Sequence, residues 1–346
     1  MPVLSPLAFE RLNDQKRIAI RDQWFARMEK LFAGQDEDPF VFTLEGVVPR
    51  PKDDQLAYTN PEEWVIQCLE LLAAQPECTE NRFSPDCVEY PIYGVYFIDR
   101  MFGAHVYQHM GQWHADYLES PVGTLQMPDL EKDETWELAR RATEAFLQAN
   151  VKLPLFGMPT LSSALNIYVN LYGGEGLAVM LEDEAAAAHD LKIINDLIRI
   201  LHRWYIAHVP AQQLQPVISW MRTQPPGYGQ LCGCTCQLLS GGMYRDLVAP
   251  LDDALLSEYP GGGMIHLCGA HTQHIPAFRE MKHLRALQLN DRAAEDLPLY
   301  LEGLRPDQIL YVNPCPGMPV GKIVSLYGRE RIVLCARMDA PEKPVK

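Results

Sequence analysis

Short apolar segments, each followed by a stretch with helical spacing, recur along this chain, and that alternation restricts its fold more than any other feature. Strand character is read at residues 40–44, 153–159, 216–221, 264–268, 285–290, 308–312 and 331–335, and residues 88–98 add a Tyr-rich extended stretch. Helical periodicity occupies residues 8–33, 61–74, 135–148, 162–169, 182–208, 243–252, 276–283, 297–303 and 321–327. Eight strands alternating with helices describe an α/β chain with a parallel sheet closed on itself. The expected architecture is a single (β/α)8 TIM barrel over residues 38–346, preceded by an N-terminal helical cap at residues 1–37. Such a barrel carries its working residues at the C-terminal ends of its strands.

Charge and composition narrow the function. The 346 residues carry 30 basic against 45 acidic side chains, a net charge of −15, with no basic run. Nucleic acid and anionic membrane surfaces both demand a positive footprint, so neither is expected as the main partner. No apolar run reaches the roughly 18 residues of a membrane span, and residues 1–6 lack a basic region followed by an apolar core. The expectation is a soluble, cytoplasmic protein. In that reducing setting nine cysteines suit metal binding or burial better than bridging.

The chemistry centres on Gly263, Met264, Ile265, His266, Leu267, Cys268 and Gly269. Residues two apart on a strand share a face, so His266 and Cys268 point one way and Leu267 the other. An imidazole and a thiolate aimed at one point suit zinc, although two ordinary core residues give the same pattern. Neighbouring strand ends add Asp291 and Cys335, with Cys315 as a rival to Cys335 for the last position. One nitrogen, two sulfurs and a carboxylate make a tetrahedral set whose carboxylate is exchangeable.

Cys232, Cys234 and Cys236 either line the same pocket or add a second metal, since their spacing is unlike that of common zinc or iron–sulfur motifs. His271 and His274 open the loop past Cys268, and His271 is a candidate for supporting a metal ligand or for acid–base work; Asp339, past Cys335, is a second candidate for such support. Glu45, Trp220, Arg222, Tyr228 and Cys234 are candidates for the substrate pocket. His105, His109 and His114 fit the two sides of a hairpin turning at Gly111, facing solvent or a pocket rim.

Taken together, these segments resemble the uroporphyrinogen decarboxylase superfamily, in its zinc-dependent, cobalamin-linked methyltransferase branch. The resemblance is carried by His266, Leu267, Cys268 and Gly269 after an apolar strand. It continues in Ala286, Leu287, Gln288, Leu289, Asn290 and Asp291, in Cys335 on the last strand, and in residues 238–245 ahead of the metal strand. It covers residues 85–340 loosely and is specific over 232–340. The chain departs from the family in carrying Asp291 where glutamate is usual and in lacking glycines around Cys335. The paired arginines of the decarboxylases are also missing: residues 43–50 offer only Arg50.

The resemblance implies zinc held by His266, Cys268 and Cys335, with Asp291 as a replaceable ligand or a nearby base and an open position for a substrate heteroatom. It also implies a methyl group moving between a small substrate and cobalamin carried by a separate corrinoid protein, in a direction the residues do not reveal. A metal-free decarboxylase-like lyase and a non-catalytic barrel with a binding role are the alternatives. Nothing in the residues speaks to oligomeric state.

Overall fold

The structure is a computed structural model and describes residues 3–36, 40–44, 49–75, 86–215 and 222–336. Its strands are β1 (Phe40–Leu44), β2 (Cys87–Glu89), β3 (Val106–His109), β4 (Gln112–Ala115), β5 (Leu155–Gly157), β6 (Leu214–Gln215), β7 (Gly229–Cys232), β8 (Gly263–Cys268), β9 (Leu284–Asn290), β10 (Ile309–Val312) and β11 (Ile332–Ala336). Six of them form a parallel sheet in the order β1-β11-β10-β9-β8-β7, and β2-β5-β6 form a second parallel sheet. The expected closed barrel is not what the ladders form: among the described residues none joins β1 to β2 or β6 to β7. At the second gap side-chain amides bridge instead. Gln215 Nε2 donates to the Gln224 carbonyl at 2.9 Å, and Gln224 Nε2 donates to the Gly229 carbonyl at 2.9 Å.

Both sheets nevertheless face one interior. Met264, Ala286, Ile309, Tyr311, Val333 and Cys335 pack in a single cluster with Val41, Cys87 and Leu155. The residues between them, such as Ile265, Leu267, Leu287, Leu289, Val312 and Leu334, pack in a second cluster shared with the helices. Strands buried on both faces explain why these segments read as continuous apolar runs. Along β8 and β9 the interior face turns polar toward the C-terminal end: Met264 gives way to His266 and Cys268, and Ala286 to Gln288 and Asn290.

The helix Gln15–Phe32 closes the apolar end. Asp14 caps it by accepting from the Arg17 amide at 2.9 Å, which satisfies one of the amides a helix start leaves unpaired. Trp24, Phe25, Met28, Leu31 and Phe32 join the interior cluster, with the Phe32 ring 4.5 Å from that of Tyr228. Its C-terminal carbonyls are met by cations, as the helix dipole favours: Arg331 Nη2 donates to Leu31 O at 2.6 Å and Arg285 Nη2 to Phe32 O at 2.9 Å.

Several local readings change. The expected helix at residues 8–33 is two helices, Pro6–Leu12 and Gln15–Phe32, because Asn13 and Asp14 end one and cap the next. The extended stretch at 88–98 is a strand only to Glu89; Tyr93 takes a positive φ of 57°, and a 3-10 turn Gly94–Tyr96 and helix Phe97–Met101 follow, burying Phe97 and Ile98. Residues 216–221 lie outside the described ones, and the strand leading to the cysteine triplet is β7, which is not among the strands expected from the sequence. The β3/β4 hairpin does turn at Met110 and Gly111, with φ of 51° and 76° as a two-residue primed turn requires. Among the described residues no helix is long and apolar enough to cross a membrane.

Truncating the plug tests its part in the core. Phe32→Ala should lower unfolding stability by about 3–5 kcal/mol in urea titration; a loss under about 1 kcal/mol would mean that the interior is closed by other side chains. His202 offers a test by pH. It is fully buried with Nδ1 2.6 Å from the Tyr259 hydroxyl, and burial pulls its pKa down from 6.5 to about 3. Because the folded value lies below the unfolded one, the neutral ring's contribution is present above about pH 6.5 and is lost as pH falls toward about 3. His202→Asn should therefore lose stability less steeply than the parent across that window, by about 1.4 kcal/mol per pH unit at most. Parallel acid profiles would show that His202 is not buried in its neutral form.

Candidate metal centre

The C-terminal ends of β7 and β8 lie side by side, with Cys232 in register with His266. Alternation turns His266 and Cys268 to the interior, where Cys268 Sγ lies 3.0 Å from His266 Nε2. After β7 the chain enters a 3-10 turn, Cys234–Leu238, that folds Cys234 back over the same point. Cys232 Sγ and Cys234 Sγ are 3.4 Å apart, and the donor atoms of Cys232, Cys234 and His266 all lie within 4.8 Å of one another. Gly269 ends β8 with φ of +90°, and any Cβ there would collide with the Gln237 side chain.

The thiols shift one another. The hydrogen bonds of Cys234 with Cys232 and Cys268 raise its own pKa. Contact with Cys234, followed by His266 and Asn290, holds the Cys268 thiol below its ordinary value. Contact with Cys234, helped by His266 and Arg222, holds Cys232 down against the opposing effect of burial. Acidified thiols beside an imidazole are a soft donor set of the kind zinc takes.

Hydrogen bonds aim the donors. His266 Nδ1 bonds Gln288 Oε1, and Gln288 Nε2 donates to Asn313 Oδ1 at 2.5 Å. A carboxamide oxygen only accepts, so Nδ1 carries a proton, and Nε2 is the nitrogen that would ligate an ion bound at the cluster. Asn290 Nδ2 donates to Cys268 Sγ at 3.4 Å, and Asn166 Nδ2 donates to Cys232 Sγ at 3.3 Å while its Oδ1 accepts from the Thr235 amide. Gln288 and Asn290 belong to the segment that carries the family resemblance, but their orienting role has no spacing signal, and Asn166 was not singled out. A metal site needs such partners to fix its ligands.

The other expected site residues fall as follows. Cys335 is buried on β11, its thiol pushed up to about 12 by burial; like Cys268, which approaches His266 at 3.0 Å, it belongs to neither group of converging metal donors among the described residues. Asp291 is exposed just past β9 with φ of 48°, accepting from Asn290 Nδ2 at 3.1 Å. Cys315 bridges to Met318 in the turn after β10. Tyr228 packs on Phe32 at the apolar end rather than beside the cysteines. His271 donates from Nε2 to the Cys268 carbonyl at 2.6 Å. Glu45, Trp220 and Asp339 lie outside the described residues.

Arg222 is buried, and its Nε and Nη1 have no hydrogen-bond partner among the described residues. Its charge acts on Cys232, Cys335, Cys268 and Cys234. Glu89, at the end of β2, was not singled out in the sequence. Burial, opposed by Arg222 and Arg50, lifts its carboxyl to about 7, where a general acid or base works best.

Replacing the orienting amide tests the centre without touching a ligand. Gln288→Leu should weaken zinc affinity about 10–100-fold in a competition titration against a chromophoric chelator. An affinity within about twofold of the parent would show that Gln288 does not set the His266 tautomer.

No protein family and no curated protein matches the chain. Among solved structures it is similar to a methyltransferase from Methanosarcina mazei, with a TM-score of 0.60 at 13% identity over 92% of this chain and 94% of that one. At that identity the likeness is one of fold.

Proposed function

We propose that this chain is a zinc-dependent methyltransferase that exchanges a methyl group between a small substrate and cobalamin on a corrinoid protein. The observation that carries the reading is the soft donor cluster at the strand ends, in which His266 Nε2 and Cys268 Sγ lie 3.0 Å apart beside two further thiols. The shared fold with a solved methyltransferase supports it. So does the common interior of the two sheets, which we read as arcs of one (β/α)8 barrel of the uroporphyrinogen decarboxylase kind.

His266 and Cys268 would hold the ion with Cys232 or Cys234, whose donor atoms converge with that of His266. The thiol left over marks the position a substrate heteroatom takes. Bound there, zinc supplies positive charge that keeps a thiol or similar group deprotonated at neutral pH. Arg222, with two donors unpartnered among the described residues, orients an anionic part of the substrate. Glu89 takes or returns the proton. Cys335 remains a rival third ligand, and Asp291 would need to swing inward to reach the ion.

Metal analysis of protein purified without chelator tests the reading. Zinc should be retained by the parent, by Cys315→Ala and by Cys335→Ala, and lost from this centre in Cys268→Ala. Loss in Cys335→Ala would assign the third ligand to Cys335 instead. A parent without zinc, or activity indifferent to Cys268→Ser, would favour a metal-free lyase. Corrinoid dependence is read separately, as methyl transfer from free methylcobalamin or to free cob(I)alamin that stops in Cys268→Ala.

A further inference from the structure

Behind the first cluster lies a second one. The donor atoms of Cys236, His271 and His274 also lie within 4.8 Å of one another, and all three residues are 1% exposed or less. Cys236 comes from the 3-10 turn after β7, and the two histidines come from the segment after β8, around the turn Thr272–His274. Burying two imidazoles and a thiol together is costly unless each polar atom finds a partner.

The outward nitrogens do find partners. His271 Nε2 donates to the Cys268 carbonyl at 2.6 Å and His274 Nε2 donates to the Cys236 carbonyl at 2.8 Å. A carbonyl oxygen can only accept, so both Nε2 atoms are protonated and both Nδ1 atoms turn bare lone pairs inward. Cys236 has one thiol proton for these two acceptors. It lies 3.2 Å from His271 Nδ1, and His274 Nδ1 is left with no partner among the described residues. Protonating a ring to fill the gap runs against burial, which lowers the pKa of both histidines.

We infer that Cys236 Sγ, His271 Nδ1 and His274 Nδ1 form a second metal site, separate from the His266 and Cys268 centre, for zinc or a similarly thiophilic divalent ion. Binding releases the Cys236 thiol proton to solvent and fills both bare lone pairs at once. Each imidazole already has its far nitrogen tied to a carbonyl, as metal-bound histidines almost always do. The Tyr244 ring covers the site 4.6 Å from that of His274, while its hydroxyl donates to the buried Asp252 at 2.8 Å. The ion would staple the turn after β7 to the segment after β8, and through His271 it would fix the carbonyl of Cys268.

Crystals of the unmodified full chain grown with zinc give the direct test. Anomalous scattering at the zinc edge should show a peak among Cys236, His271 and His274, in addition to any peak at His266. The absence of that peak overturns the inference, whether or not the His266 centre is filled. In solution, Cys232→Ser/Cys268→Ser protein stripped of metal should still take up near one equivalent of cobalt(II), with a single-thiolate absorption band. Adding His274→Gln should abolish that band, and its persistence counts against the site. A peak at Cys236 with none at His266 would uphold this inference while refuting the proposed function. If the substituted proteins fail to fold, the crystal measurement on the parent decides.

Discussion

An imidazole can offer a bare nitrogen to a cation only when its other nitrogen is already committed. Much of the chemistry proposed for this chain depends on that constraint. Gln288 commits Nδ1 of His266, and the backbone carbonyls of Cys268 and Cys236 commit Nε2 of His271 and His274. The first arrangement points Nε2 into the interior of the sheets, and the second points two Nδ1 atoms into the layer behind it. The same strand-to-helix turns therefore serve two clusters, because residues two apart share a face and the chain past the strand folds back on itself. Cys268 belongs to one cluster by its side chain and to the other by its carbonyl.

The interior that receives the first cluster is graded. At one end Met264, Ala286 and Tyr311 meet the aromatic face of the helix Gln15–Phe32, and burial of this kind contributes about 25 cal/mol per Å² of apolar surface. At the other end the strands finish in histidine, cysteine and carboxamides, with His266, Gln288, Asn290 and Cys268 bonded to one another. Hydrophobic closure of one end lets polar groups at the other interact at reduced dielectric. Arg222 is a guanidinium taken out of water with two donors unpaired among the described residues, and such a group is costly unless something else satisfies it.

The strands that matter most for the site were legible because parallel strands covered on both faces read as apolar runs with a punctuating His, Cys or Asn. Residues 264–268, 285–290, 308–312 and 331–335 all sit within strands of the six-stranded sheet or within one residue of them. β7 was missed because Gly229, Gln230 and Cys232 lack β-branched character and follow a Pro–Gly loop, so propensity favoured a turn where tertiary pairing to β8 won. His266 and Cys268 were legible as a pair. Their closest thiol neighbours were less so, because the approach of Cys232 and Cys234 depends on the register of β7 against β8, which no local pattern encodes. The hydrogen bonds of Gln288, Asn290 and Asn166 were invisible for the same reason.

The arginines that seat the plug have a bearing on how the molecule forms. Leu31 and Phe32 offer their carbonyls to Arg331 and Arg285, partners 300 and 253 positions further along. The helix also meets earlier partners, Asp86 through Arg17 and the Leu153 carbonyl through Arg21, but the seating of its last turn waits until nearly the whole chain has been made. Contacts of such separation form late and slowly. Closure of the apolar end, where Phe32 meets Tyr228 and Tyr311, is therefore among the last parts of the interior that the chain can complete.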